Sequence, residues 1–303
     1  MEVAPGTLRP TRRQLFRFAV AAGMVAAPGY RRGAAFAAPS HPLIALDFAH
    51  AQSLLALGVE DFGLAERWRY QRLVQEPPLP DSVFDIGTFT EPNLELLAEI
   101  KPRAILHSRE WPTDTAQLKR IAPLWEMSIY TGAPAPLDRA RQALVRIAEI
   151  AGKEQRAADY LAGFDERMRT FRARLQPFAG RRVMVLWAAT PRDFWTLGIA
   201  SLVHNVLDHV GLRNAITETG DSWGWLPVTM HELVRLDDVI ALHFGPVPQA
   251  LDGNPFWQNL GLVRQRRLVV LPSSWLFGGL PEAERIARLL AHGLEGASHL
   301  AVN

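Results

Sequence analysis

The chain has 303 residues, 48% of them apolar, a formal net charge of +2 and no cysteine. The lack of cysteine excludes disulfide staples, a thiolate nucleophile and a lipid anchor on cysteine, so a buried apolar core has to hold the fold. Six arginines and one acid, Glu2, lie in residues 1–38; the remainder has 27 basic against 30 acidic residues, a balance of −3, so a nucleic-acid role loses its electrostatic support.

Residues 1–38 read as a leader. Thr11-Arg12-Arg13-Gln14-Leu15-Phe16-Arg17 precedes an apolar run from Phe18 to Ala27, and Ala35-Phe36-Ala37 offers a small-residue cleavage site. The run is shorter than the ~20 residues that span a bilayer. With Arg31 and Arg32 just ahead of the cleavage region, the segment has the form of a twin-arginine export signal, which addresses the mature protein to the periplasm. The roughly 265 residues that follow suffice for two modest domains.

Beyond the leader, Leu43-Ile44-Ala45-Leu46 predicts a strand, and Ala49 to Leu57 a helix closed by Gly58. Val59 to Leu64 predicts a second strand. The prolines of Glu76-Pro77-Pro78-Leu79-Pro80-Asp81 exclude helix and central strand, and apolar neighbours on both sides favour an ordered loop. A helix is expected after Thr90-Glu91-Pro92-Asn93 with Pro92 in its first turn, a short one over 115–122, and a strand at Met127-Ser128-Ile129-Tyr130. From Leu137 to about Leu175 apolar residues recur at threes and fours, interrupted by Gly152 and Gly163, as in one bent or two stacked amphipathic helices. Arg182 to Trp187 predicts a strand, Ser201 to Val210 a helix capped by Gly211, Leu268 to Leu271 the last strand, and Pro281 to about Leu294 a closing helix. Strands alternating with helices indicate an α/β fold with parallel sheets.

One structural unit is written twice. Asn93 to His107 and His231 to His243 each place a glutamate beside a leucine, then a short helix, a break and an apolar strand that ends in histidine. The breaks are Lys101-Pro102 and Asp237-Asp238, and the strands Ala104 to Leu106 and Val239 to Leu242. Two similar halves imply two Rossmann-like lobes with a cleft between them, joined by the mid-chain helix. The corresponding division is 39–137 for the first lobe, 138–178 for the helical linker and 179–303 for the second lobe.

Several tryptophans fall where such a cleft would be. Trp111 follows the strand ending at His107, Trp223 and Trp225 lie in Asp221-Ser222-Trp223-Gly224-Trp225 before the second-half helix, and Trp275 follows the last strand. These are the places where open α/β sheets bind ligands, and indoles supply broad apolar contact with one N–H donor each. Trp125, Trp187 and Trp257 are expected in the core. No G-x-S-x-G elbow, H-E-x-x-H helix or phosphate-cradling glycine loop is present, which argues for a binding protein and leaves an exported hydrolase using Asp and His as the remote enzymatic alternative.

Three stretches, Glu76 to Ser82, Asp85-Ile86-Gly87 with Thr90 to Leu97, and Pro272 to Gly278, resemble the periplasmic ferric hydroxamate siderophore-binding proteins of bacterial iron uptake. The resemblance runs from about Leu43 to the C-terminus. It implies two α/β lobes on a long helix, an iron(III)–siderophore complex as ligand, and delivery of that complex to an inner-membrane ABC permease by a monomer. The family's cleft aromatics fall on Trp111, Trp223 and Trp275, with wall tryptophans falling on Phe48 and Leu73. The family arginine that bonds the hydroxamate oxygens falls on Phe89. Arg109 is the nearest replacement in sequence, with Arg72 and Arg69 as others. The resemblance also points to Glu95 and Glu232, one per half, as permease-docking anchors.

Two alternatives keep the same architecture. His107 and His243 end equivalent strands and, with Asp47 and Glu110, suggest direct Zn²⁺ or Mn²⁺ binding. A haem or corrinoid would also suit aromatic walls.

Overall fold

The apolar run at Leu43 forms β1 (Leu43–Ala45), buried along its length because strands pack on both of its edges and helices on its faces. The computed structural model describes residues 41–190, 193–236 and 238–301; the expected leader and Asp237 of the second break lie outside the described residues. Asp47 ends β1's turn by capping α1 (Phe48–Ala56), its carboxylate accepting the Ala49 N–H at 2.7 Å. β2 (Phe62–Leu64), α2 (Arg67–Leu73), β3 (Phe84–Asp85), α3 (Leu94–Ile100), β4 (Ala104–His107), α4 (Thr115–Ile121) and β5 (Leu124–Glu126) follow. The five strands make one parallel sheet in the order β3-β2-β1-β4-β5.

The mid-chain segment is two helices, α5 (Pro136–Ala151) and α6 (Glu154–Arg174), with the break at Gly152, whose φ of +67° ends the first helix. Of the two expected forms, one bent helix or two stacked ones, the segment takes the second. The second half holds β6 (Arg182–Val185), β7 (Trp187–Ala188), β8 (Phe194–Leu197), α7 (Leu202–His209), β9 (Arg213–Asn214), β10 (Trp225–Val228), α8 (Met230–Val234) and β11 (Ile240–Phe244). Two short helices, α9 (Pro255–Asn259) and α10 (Gly261–Arg264), then lead to β12 (Leu268–Leu271) and the closing α11 (Leu280–Glu295). β12-β11-β6-β9 form a second parallel sheet, and β10-β8-β7 a small antiparallel one.

The written-twice unit is real in the fold. In each copy a short helix, α3 or α8, precedes an interior strand of a parallel sheet, β4 or β11. Three expectations shift. The strand expected at Met127–Tyr130 lies one step earlier, at β5, and Ile129 and Tyr130 are buried in the loop beyond it. Pro92 precedes the Asn93 cap of α3 and is not in its first turn. The run Arg182–Trp187 splits between two sheets, and the antiparallel strands β8 and β10 were not foreseen.

One continuous apolar core reaches from Leu43 to Leu300 and so includes residues of both parallel sheets, while a smaller cluster fills the space under the antiparallel strands. α5 and α11 each pack on α1 from the first half and α7 from the second. Across this junction runs a buried polar network. Glu282, fully buried in the first turn of α11, accepts from Ser274 and, at 3.1 Å, from Gln52 Nε2; Gln52 Oε1 in turn accepts the Gly279 N–H at 2.9 Å. The proline loop is ordered as expected, since Gln52 donates to the Glu76 carbonyl and the Tyr70 hydroxyl to that of Pro77.

Burial raises the Glu282 pKa above its ordinary 4.5, outweighing the Ser274, Gln52 and backbone donors and the nearby Arg285 cation. A carboxyl with a raised folded-state pKa contributes stability that is fully present below about pH 4.5 and is lost as pH rises through the raised value. Urea unfolding at a series of pH values should therefore show Glu282→Gln with a flatter decline above pH 4.5 than the parent; identical slopes would remove Glu282 as the source.

Candidate ligand-binding site

Six aromatic rings, five from loops and Phe48 from the first turn of α1, close a cycle. Phe48 follows β1, Phe89 follows β3, Trp111 follows β4, Trp223 precedes β10, and Phe277 and Trp275 follow β12. Consecutive ring centroids lie 4.9 Å (Phe48–Phe89), 4.5 Å (Phe89–Trp111), 5.5 Å (Trp111–Trp223), 5.3 Å (Trp223–Phe277), 5.7 Å (Phe277–Trp275) and 5.4 Å (Trp275–Phe48) apart. All are within the range in which edge-to-face and offset pairs attract. Tyr130 stacks on Trp223 at 4.8 Å, and its hydroxyl donates to the Gly278 carbonyl at 2.7 Å. The cycle stands beyond the carboxyl ends of the parallel strands, where this class of sheet leaves room for ligands.

Two different depths are present. Trp111, Trp223, Trp225, Trp275 and Phe277 are half-buried and offer ring surface. Phe48, expected as a wall, and Phe89, expected at the arginine position, are each only 2% exposed, so both back the rings beside them. The cause is Tyr70 and Trp275, which close over Phe48, and Trp111, which tilts onto Phe89. Leu73 is half-buried at the end of α2. Trp257 is in the core as expected, stacked on Phe194. Trp187 is not; it is 44% exposed and tilts against Trp225 at 5.5 Å. Trp125 is half-buried, with the Arg146 guanidinium over its ring.

Local chemistry explains how the loops hold their shape. Asp221 accepts the N–H groups of both Trp223 (2.9 Å) and Trp225 (2.8 Å), and Gly224 between them has φ +87°. Trp111 donates its indole N–H to the buried carboxylate of Asp47 at 2.7 Å, so the donor of this indole is engaged inside the protein.

Charge is sparse around the rings. The Arg109 side chain is 80% exposed and paired to Glu126 at 2.6 Å. Arg69 reaches the rings instead. Its guanidinium lies 6.0 Å from the Phe89 centroid and 5.8 Å from that of Trp275, and Glu66 holds it at 2.8 Å. Beside the cycle lies a polar cavity of about 590 Å³ whose lining includes Arg109, Glu110, Glu126, Ser128, Tyr130 and Ser222.

The two strand-end histidines are buried. His243 donates from Nδ1 to the Gly245 carbonyl and accepts the Ala188 N–H on Nε2, which stitches β11 to β7; burial lowers its pKa. His107 is buried and likewise lowered, chiefly by desolvation. Glu110 accepts the Tyr130 N–H at 2.6 Å, and burial raises its pKa. Among the described residues no group of three or more His, Cys, Asp or Glu is placed to hold a metal ion.

Glu95 and Glu232 are both exposed in the first turn of a short helix, α3 and α8. Their settings differ. Glu95 is the second residue after its Asn93 cap, whereas Glu232 is the third after Thr229 and closes a capping box with it; those Thr229 bonds lower its pKa. Tyr130 and Phe277 belong to this aromatic cluster and were passed over in the sequence, Tyr130 because it was assigned to a strand and Phe277 although it sits in the quoted Pro272–Gly278 stretch.

Comparison with known proteins bears on this arrangement. Residues 43–275 match the family model described as periplasmic binding protein. The chain belongs to the periplasmic binding protein family. It is 33% identical over 258 residues to the iron(3+)-hydroxamate-binding protein FhuD of Escherichia coli (strain K12), covering 84% of this chain and 87% of that protein. Among solved structures, the siderophore-binding protein FhuD from Vibrio cholerae, crystallised with Fe³⁺–Desferal, superposes with a TM-score of 0.78 at 26% identity, covering 87% of this chain and all of that one. The triscatecholate siderophore-binding protein FeuA from Bacillus subtilis shares the fold at 15% identity and a TM-score of 0.65, over 86% of this chain and 94% of that one.

Within this family member the Trp223–Gly224–Trp225 turn is demanding. A Cβ at Gly224 would meet the Ser201 nitrogen at 2.7 Å in a left-handed backbone. Gly224→Ala should destabilise the protein by about 1–3 kcal/mol, read as a lower urea midpoint with an unchanged slope.

Proposed function

We propose that this chain is the periplasmic substrate-binding protein of an ABC importer and captures an iron(III) siderophore complex of hydroxamate type. It does so without contributing a ligand to the iron and without catalysing a reaction. The observation that carries the reading is the closed aromatic cycle with one guanidinium over it. A metal already wrapped by its chelator presents an apolar skeleton and a few oxygen acceptors, which rings and a single cation suit. The identity to the E. coli iron(3+)-hydroxamate-binding protein supports the ligand class. Direct Zn²⁺ or Mn²⁺ binding loses support because both ring nitrogens of His243 already bond to backbone groups.

On this reading Trp111, Trp223, Trp225, Trp275 and Phe277 carry the contact surface, and Phe48 and Phe89 hold those rings in place. Arg69 supplies the charge-assisted donor that Phe89 lacks, and Arg109 stands aside in its pair with Glu126. Residues 39–137 and 179–303 are the two lobes and 138–178 the helical linker, with Glu95 and Glu232 presenting the lobes to the permease. The protein works as a monomer, exported by the twin-arginine signal in residues 1–38.

Tryptophan fluorescence titrated with ferric hydroxamates should show saturable quenching, and Trp111→Ala and Trp223→Ala should each cost roughly 2 kcal/mol or more of affinity. Tight binding of free Zn²⁺ or Mn²⁺ with no response to any hydroxamate complex would overturn the reading. A charge-assisted bond is worth about 1.5–3 kcal/mol, so Arg69→Ala should weaken binding roughly 10- to 100-fold while Arg109→Ala changes it little. The reverse result would return the donor role to Arg109.

Delivery is tested separately. Reversing exposed rim charges impairs association with a partner more than ligand affinity. Glu95→Arg and Glu232→Arg should therefore depress radio-iron uptake by cells while the purified variants titrate normally. Normal uptake would mean that these glutamates serve only their helices.

A further inference from the structure

Next to the aromatic cycle lies a second, apolar cavity of about 220 Å³, lined by Val185, Trp187, Trp225, Phe244, Trp275 and Phe277 together with Ser274 and Leu276. It sits at the carboxyl ends of β6, β11 and β12, with Trp187 and Trp225 of the antiparallel sheet as its outer wall. Trp275 and Phe277 belong both to this lining and to the cycle, so the two spaces share a wall.

The lining dictates what can enter. No charged side chain takes part, and apart from the indole N–H groups the polar side chain present is Ser274, whose hydroxyl is already donating to buried Glu282. A charged or strongly polar group would lose its hydration here without compensation. The volume holds only about seven groups of water or methylene size, at ~30 Å³ each. That is far too little for a second iron chelate and enough for a short alkyl chain. The Trp187 ring is 44% exposed on an end strand of its sheet and leans on Trp225 at the mouth of the cavity. Large apolar surface left open beside a ligand cleft marks a recognition surface.

We infer that this cavity is a subsite for an apolar appendage of the ligand, so that the protein favours ferric hydroxamates bearing a medium-length acyl chain over the unacylated complex. Trp187 and Trp225 clasp the chain while the iron-bearing end rests on the cycle. The inference rests on the ferric hydroxamate reading above.

The test is calorimetric titration of the purified protein with ferric desferrioxamine B and with the same complex carrying a hexanoyl chain on its terminal amine. Burial of several methylenes should make the acylated complex bind about tenfold more tightly or better. Trp187→Ala should erase most of that gain and leave the affinity for the unacylated complex within about twofold, which also confirms that the variant is folded. Trp187→Phe should retain most of the gain. Equal affinity for the two complexes, or a gain that survives Trp187→Ala, overturns the subsite while the function stands. Failure of both complexes to bind overturns the subsite, and the ferric hydroxamate reading falls as well when no other ferric hydroxamate binds.

Discussion

The closed cycle of six aromatic rings is the constraint on which the rest of this structure depends. It exists only because the start of α1 and loops of both halves converge, and each ring is pinned by both of its neighbours. Such pairs contribute about 0.5–1.5 kcal/mol each beyond the area they bury. Their larger effect is geometric. A wall whose side chains are already packed loses little freedom when a rigid ligand lands on it, and that freedom is a main cost of binding. The polar features around the cycle serve the same end: Asp47 fixes the Trp111 indole, Asp221 gathers the N–H groups of Trp223 and Trp225, and Tyr130 ties its ring to the loop after β12.

Behind the cycle, the halves share one core and the Gln52–Glu282–Ser274 network. Two helices, α5 and α11, contact elements of each half, so a wide hinge opening would have to break continuous apolar packing as well as buried hydrogen bonds. Small movements of the strand-end loops are compatible with this frame. The paired mid-chain helices add to the stiffness, because α6 folds back on α5 after Gly152 where a single long rod would have left more of α5 uncovered.

Phe89 and Arg69 show how a cation from one element reaches a ring held by another. The two are 20 residues apart and belong to different elements, yet the guanidinium lies 6.0 Å from the ring. A phenyl at 89 becomes a platform for a cation supplied by α2. Arg109, nearer to Trp111 along the chain, is drawn outward by Glu126 at the end of β5. Sequence distance put Arg109 first, whereas the guanidinium found over the rings is that of Arg69, because what decides is which helix or strand end each one leaves.

What the sequence determined by itself is the part carried by local periodicity and by caps. The α/β class, the repeated helix–strand unit, α1 after Asp47, α7 after Ser201, the ordered proline loop and the loop positions of Trp111, Trp223 and Trp275 were all legible, since each follows from apolar spacing or from residues that end or begin an element. The tertiary structure alone decided depth and partners. That Phe48 and Phe89 lie beneath the walls, that Trp187 stands open, that His243 is bonded through both nitrogens and that Tyr130 joins the cycle depend on contacts between residues up to 227 positions apart, such as Phe48 with Trp275. Short two- to four-residue strands such as β8 and β10 carry too little pattern to announce themselves, and they exist because they pair with each other. Local pattern states which residues seek burial or a loop; only packing between distant segments states which face meets the ligand.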